Sequence, residues 1–222
     1  MKTEPNTFQL IAEQLKKPAG EMGKQVGEKM NAGNQLINEW TIEKLNPSPN
    51  DKILEIGMGN GGFVNGILSV DPSIIYYGCD ISELMIEEAS KLNERLIDKK
   101  QAEFILATAD YLPFEDASFN KVFTVNTIYF WDDPSKELSE IHRVLENNGK
   151  LVISVRPKSI MLTYPFSQYG FKLFSKDDLV KLLSDNHFRI IETIEKTEPD
   201  QEVNGNIIKV ESLIVSAERF KV

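Results

Sequence analysis

The sequence predicts an α/β domain, an open and mostly parallel sheet with helices packed on both faces. Three observations predict it. Short apolar runs of strand length alternate with helical stretches over short connections. The first apolar run leads straight into a glycine-rich turn that opens a helix. The alternation fails only near the end, where two β-rich segments follow one another as an antiparallel hairpin would.

The elements follow in order. Residues 7–17 and about 24–45 read as helices, with Leu36, Ile37, Trp40 and Leu45 forming an apolar stripe in the second. Pro18, Gly20 and Gly23 interrupt between them, and the breaker cluster at 46–51 closes this lead-in. Residues 52–56 form the first strand, the glycine turn follows, and a helix runs from about 61 to 69. Residues 74–79 make the second strand. A helix over 82–91 has Ser82 as its N-cap. Residues 103–107 and 121–126 supply the third and fourth strands. The helix over 134–145 accommodates Pro134 in its first turn, and 151–155 is the fifth strand. Residues 157–173 are aromatic and irregular, placed where a substrate-covering element fits. A helix over 176–184 then precedes β-rich segments at 188–195 and 206–216, which flank a turn region at Pro199 and Gly205.

Composition narrows the function classes. The chain has 222 residues, 41% hydrophobic and 27% charged, which suits one globular domain with a sizeable core. We read 1–46 as a helical lead-in, 50–156 as the ligand-binding core and 157–173 as an insertion. A net charge of −9 with scattered Lys and Arg argues against nucleic acid as the default partner. No apolar run approaches the roughly 20 residues of a membrane span. The first 18 residues lack the apolar core of a secretory signal. Cys79 stands alone, so neither an internal disulfide nor a cysteine-based metal site is expected. These features point to a cytoplasmic setting.

The chemistry concentrates in Ile53-Leu-Glu-Ile-Gly-Met-Gly-Asn-Gly-Gly62. Gly57, Gly59 and Gly61 allow positive φ angles and close ligand approach, beside the free N–H groups of a helix start. The same stretch satisfies the dinucleotide spacing through Gly57, Gly59 and Gly62, so a nicotinamide oxidoreductase is the rival reading. Glu55 weighs against it, because a carboxylate there repels a pyrophosphate and attracts a sulfonium or ammonium. Asp80 ends the second strand, where a carboxylate accepts hydrogen bonds from both ribose hydroxyls of either cofactor. Asp110 follows the third strand and can accept from an adenine amino group. With Asn126, four neighbouring strand ends carry polar residues, at the edge where open parallel sheets bind ligands.

ILEIGMGNGG, GCDIS, ATADYLPFEDASFNKVFTVNTIYFW and HRVLENNGKLVISVRP, in that order, resemble the successive motifs of class I S-adenosylmethionine-dependent methyltransferases. The likeness covers about residues 50–156. It is nearest the small-molecule subgroup acting in ubiquinone and menaquinone biosynthesis. It implies a Rossmann-like seven-stranded sheet of order 3-2-1-4-5-7-6 with the seventh strand antiparallel. It also implies S-adenosylmethionine as cofactor and a small-molecule acceptor. Gly57, Gly59 and Gly61 would pack on the methionine part and Asp80 would hold the ribose. Ile81 and Met85 would line the adenine, Asp110 would bind its amino group, and Ala109 and Tyr111 would add backbone or stacking contacts. Asn126 would stand by the transferring methyl. The lead-in KKPAGEMGKQVGEKMNAGN more loosely resembles a helical lid, with Met30, Asn31 and Asn34 facing the site. The chain departs from the pattern at Asn186-His187-Phe188, where a glycine commonly precedes the aromatic residue.

Plainer readings stand beside these. His142 and His187 suit packing or surface roles, and Cys79 a small buried apolar role. Phe166, Tyr169 and Phe171 are core residues or walls of an apolar acceptor pocket. No residue outside the cofactor set suggests itself as a base, so no catalytic residue is named. A non-catalytic cofactor-binding protein remains a third alternative.

Overall fold

The computed structural model describes residues 7–203 and 206–220. The start of the leader reading (residues 1–6) and Gly205 of the turn reading lie outside them. The chain opens with α1 (Thr7–Lys16), α2 (Gly20–Gly33) and α3 (Gln35–Leu45). Then come β1 (Lys52–Ile56), α4 (Val64–Leu68), β2 (Ile75–Asp80), α5 (Glu83–Leu92), α6 (Glu94–Asp98), β3 (Ala102–Leu106) and β4 (Phe119–Val125). The second half holds α7 (Pro134–Val144), β5 (Leu145–Val155), α8 (Lys158–Met161), α9 (Lys176–Asp185) and β6 (Phe188–Thr197). A small hairpin, β7 (Gln201–Val203) with β8 (Asn206–Ile208), precedes the last strand, β9 (Glu211–Arg219).

The main sheet runs β3-β2-β1-β4-β5-β9-β6. The first five strands pair in parallel, and β9 pairs antiparallel with both β5 and β6. This is the expected topology, because β9 is the seventh strand of the sheet. Successive side chains point to opposite faces. Leu54, Val122, Leu151 and Val215 bury in one core beside α7 and α9, while Ile53, Phe123, Val152 and Ile214 bury in the other beside α3 and α4. Both faces are therefore covered, as a parallel sheet requires.

Several boundaries differ from the sequence reading. The helix read over 24–45 is two helices meeting at Asn34, whose φ of −112° and ψ of 11° interrupt the ladder. Gly23 lies inside α2 rather than in a break. A Cβ there would come within 2.8 Å of the Pro18 carbonyl carbon and 2.9 Å of Leu84 Cδ2, so glycine lets α2 settle onto α5. The helix after the glycine turn spans only Val64–Leu68, because the residues before it are spent on the turn. The segment read over 206–216 is two strands, β8 and β9, and β7 and α6 escaped the sequence reading. His187 takes the position where a glycine is common and adopts its left-handed backbone, with φ of 65°.

Candidate functional site

The site begins where β1 ends. Gly57, Gly59 and Gly61 have φ of 74°, 58° and 68°. At Gly57 a Cβ would stand 2.3 Å from Thr127 Oγ1, so the turn closes only on glycine. Above Gly59 a Cβ would meet nothing within 4 Å, which leaves bare backbone at the floor of a hollow. Gly61 serves the turn itself: its carbonyl accepts from Asn93 Nδ2 at 3.1 Å.

Two carboxylates flank this turn. Asp80, at the end of β2, accepts the N–H of Gly59 at 3.1 Å and of Ser82 at 2.9 Å. It thereby ties the glycine loop to the start of α5, whose N-cap is Ser82, bonded to the Met85 N–H at 3.2 Å. Burial raises its pKa from the ordinary aspartate value, against the lowering effect of these bonds. Glu55 is 5% exposed and accepts the Tyr76 hydroxyl at 2.5 Å. Burial raises its pKa to about 7; the Tyr76 bond lowers it and the Asp80 charge adds to the rise. A buried acid beside a half-buried one on the neighbouring strand is costly unless positive charge stands near.

Both face a hollow of about 220 Å³, also lined by Gly57, Gly59, Ile81, Met85, Ala109, Asp110 and Asn126. Nine of the eleven residues singled out from the sequence thus converge, counting Glu55 and Asp80 with those seven. Gly61 stands behind the turn, and Tyr111, 75% exposed, points elsewhere; neither lines the hollow. Asp110 is occupied by an ion pair with Lys136 at 2.6 Å, which lowers its pKa. Met30, Asn31 and Asn34 line the hollow as the lid reading expects. The helical lead-in is tied down where Ser82 Oγ donates to the Pro18 carbonyl at 2.6 Å and Asn126 Nδ2 donates to Asn34 Oδ1 at 3.1 Å.

The sequence reading missed Asn60, Thr127 and Glu137 among the lining residues, and gave Phe130 and Trp131 no definite place there. Asn60 Oδ1, Glu137 Oε2 and Trp131 Nε1 are buried without a hydrogen-bond partner. Such atoms call for a ligand. A pair of acids, one buried and one half-buried, an open glycine floor and orphaned polar atoms fit an adenosyl ligand with a positively charged sulfur.

A second cavity of about 530 Å³ adjoins the first, between the lead-in helices and the 157–173 segment. Phe166 and Phe171 are among its walls and also pack against the core beside α7 and α9, so their position leaves both readings of those two standing. His142 and His187 lie 6.0 Å apart, ring to ring, and line neither cavity. Cys79 is buried, and burial pushes its thiol up to about 12, consistent with a packing role. Among the described residues no group of His, Cys, Asp and Glu could hold a metal ion.

A methyltransferase-domain family model matches residues 54–153. The uncharacterized methyltransferase YdaC of Bacillus subtilis is 33% identical over 129 residues, 58% of this chain and 69% of that one. The chain solved in complex with the Haloferax volcanii Trm112 methyltransferase activator superposes with a TM-score of 0.78 at 15% identity, covering 99% of this chain and 100% of that one. A SAM-dependent methyltransferase from Aquifex aeolicus superposes with a TM-score of 0.69 at 19% identity, over 86% and 96% of the two chains. The chain belongs to the class I methyltransferase family.

Proposed function

We propose that the protein transfers a methyl group from S-adenosylmethionine to a small-molecule acceptor. The observation that carries this reading is the pair of acids, buried Glu55 and half-buried Asp80, beside an open glycine floor. Asp80 would take the ribose hydroxyls, and Glu55 would face the cationic end. Ile81 and Met85 would lie against the adenine, with Ala109 and Asp110 at its edge, and Asn126 near the methyl. The bound cofactor supplies a methyl already activated by positive sulfur. The chain's own share is then to orient the reactants and exclude water. Tyr129 supports this division: burial holds its hydroxyl far above the usual tyrosine range, so it stays protonated and serves as no base.

The dinucleotide reading is disfavoured by Glu55, which would stand beside a pyrophosphate. Membership of the small-molecule subgroup is part of the proposal, supported by the second cavity. So is a cytoplasmic setting, supported by the single buried cysteine. Among the described residues no helix is long and apolar enough to cross a membrane.

Calorimetry tests the reading. S-adenosylmethionine and its demethylated product should both bind in the micromolar range, and Asp80→Ala should weaken both by about 100-fold, the loss of two charge-assisted hydrogen bonds. NADH binding with no response to S-adenosylmethionine would reverse the assignment.

A further inference from the structure

The second cavity is unlike the first in its chemistry. Ile11, Val26, Met161 and Phe171 are typical of its walls, which come from α1, α2 and the 157–173 segment. Its polar groups are mostly spoken for. Arg156 donates from Nη1 to Glu198 and to Ser212 Oγ, and from Nη2 to the Gly33 carbonyl at 2.9 Å. That guanidinium is 8% exposed and its charge is matched by Glu198. The Tyr129 hydroxyl accepts from the Arg156 N–H at 2.5 Å and donates to the Arg156 carbonyl at 2.9 Å. Burial raises the Tyr164 hydroxyl, which keeps it neutral as well. Lys29, on the exposed face of α2, is the remaining cation among the described lining residues.

The two cavities share Leu15, Met30, Asn34, Asn126 and Phe130. A molecule in the second cavity therefore reaches the donor hollow at a wall of uncharged residues, with the Asn34–Asn126 hydrogen bond at its centre. Lys29, the unpaired cation among the described lining residues, sits exposed at the rim, so an anion carried deeper would be desolvated beside a guanidinium already matched by Glu198, a heavy cost among apolar walls. A neutral aliphatic or aromatic body would gain from leaving water. The volume lies in the range of drug-sized ligands.

We propose that this cavity is the acceptor site, and that the acceptor is a neutral, largely apolar molecule held between α1–α2 and the 157–173 segment, with its reactive atom at the Asn34–Asn126 wall. The inference rests on the methyltransferase reading for the role of the occupant. The cavity's preference for neutral apolar ligands stands on its walls alone.

The test uses the full chain and the neutral fluorophore N-phenyl-1-naphthylamine, titrated with and without S-adenosylhomocysteine. The probe should bind in both states. Decan-1-ol should displace it at least about tenfold more effectively than decanoate. Val26→Glu, which sets a charge on the wall, should weaken probe binding by about tenfold or more. Affinity for S-adenosylhomocysteine should move less than about twofold. Met22→Glu, at a more exposed point of the same wall, repeats the test if the first variant folds poorly. Decanoate matching decanol, or probe binding unmoved in both variants, would overturn the proposal. Probe binding in a wild-type protein that ignores S-adenosylhomocysteine would remove the acceptor role with the methyltransferase reading and leave only the ligand preference.

Discussion

The donor hollow and the apolar cavity share a wall but are built on opposite terms. The hollow is made from the ends of adjacent parallel strands, with left-handed backbone angles at three glycines and with a buried acid, Glu55, beside a half-buried one, Asp80. The apolar cavity is made from pieces far apart in the chain, lead-in helices against a segment after β5, and its one buried charge is matched. The first is closed by a turn that Thr127 packs against at Gly57, so its tolerance for change is small. The second is shaped by side-chain bulk, which can vary without disturbing the sheet.

Gly57→Ala breaks the donor side most severely. The new Cβ would strike Thr127 at a position with φ of 74°. A cost of about 2–4 kcal/mol is expected from strain and overpacking together. Thermal unfolding should fall by roughly 5–10 °C, with cofactor binding lost in the same variant. An unchanged melting temperature would mean the turn is looser than its contacts indicate.

Lys136→Ala lies at the other end of the scale. Its ion pair with Asp110 is partly exposed, with 61% and 34% of the side chains accessible. Such pairs contribute little, so stability should change by less than about 1 kcal/mol. Freed Asp110 should bind the cofactor no worse than before in calorimetry. A large loss of affinity would mean that Lys136 itself belongs to the donor side.

The same contrast governs what the sequence disclosed. Glu55, the glycines and Asp80 were legible because a strand fixes where its last residues point, and the turn follows within a few positions. Asn60 sits inside the quoted motif and was missed, since only the folded turn reveals which way its side chain faces. Glu137 looks like any exposed helical acid until the 128–133 segment covers it. Gly61 and Tyr111 were placed in the hollow by family likeness, but one supports the turn and the other faces solvent. Most of the apolar cavity was illegible, because its walls meet only through tertiary packing. The break at Asn34, which puts that residue against Asn126, is announced only by Gly33 beside it, a signal shared with glycines that stay inside α2.

The charge of the ligand is the centre of the account, and Glu55 reports on it. With its pKa raised to about 7 by burial, Glu55 holds a proton that the unfolded chain releases near the ordinary glutamate value of 4.5. The folded state therefore binds more protons across that window, and this group's contribution to stability falls as pH rises through it. A cation beside Glu55 lowers its pKa again. Calorimetry of S-adenosylmethionine near pH 6.5, repeated in buffers of different ionisation enthalpy, should show net release of a fraction of a proton in the wild type and none in Glu55→Gln. Proton uptake on binding, or equal release in the variant, would contradict a hollow built for positive sulfur.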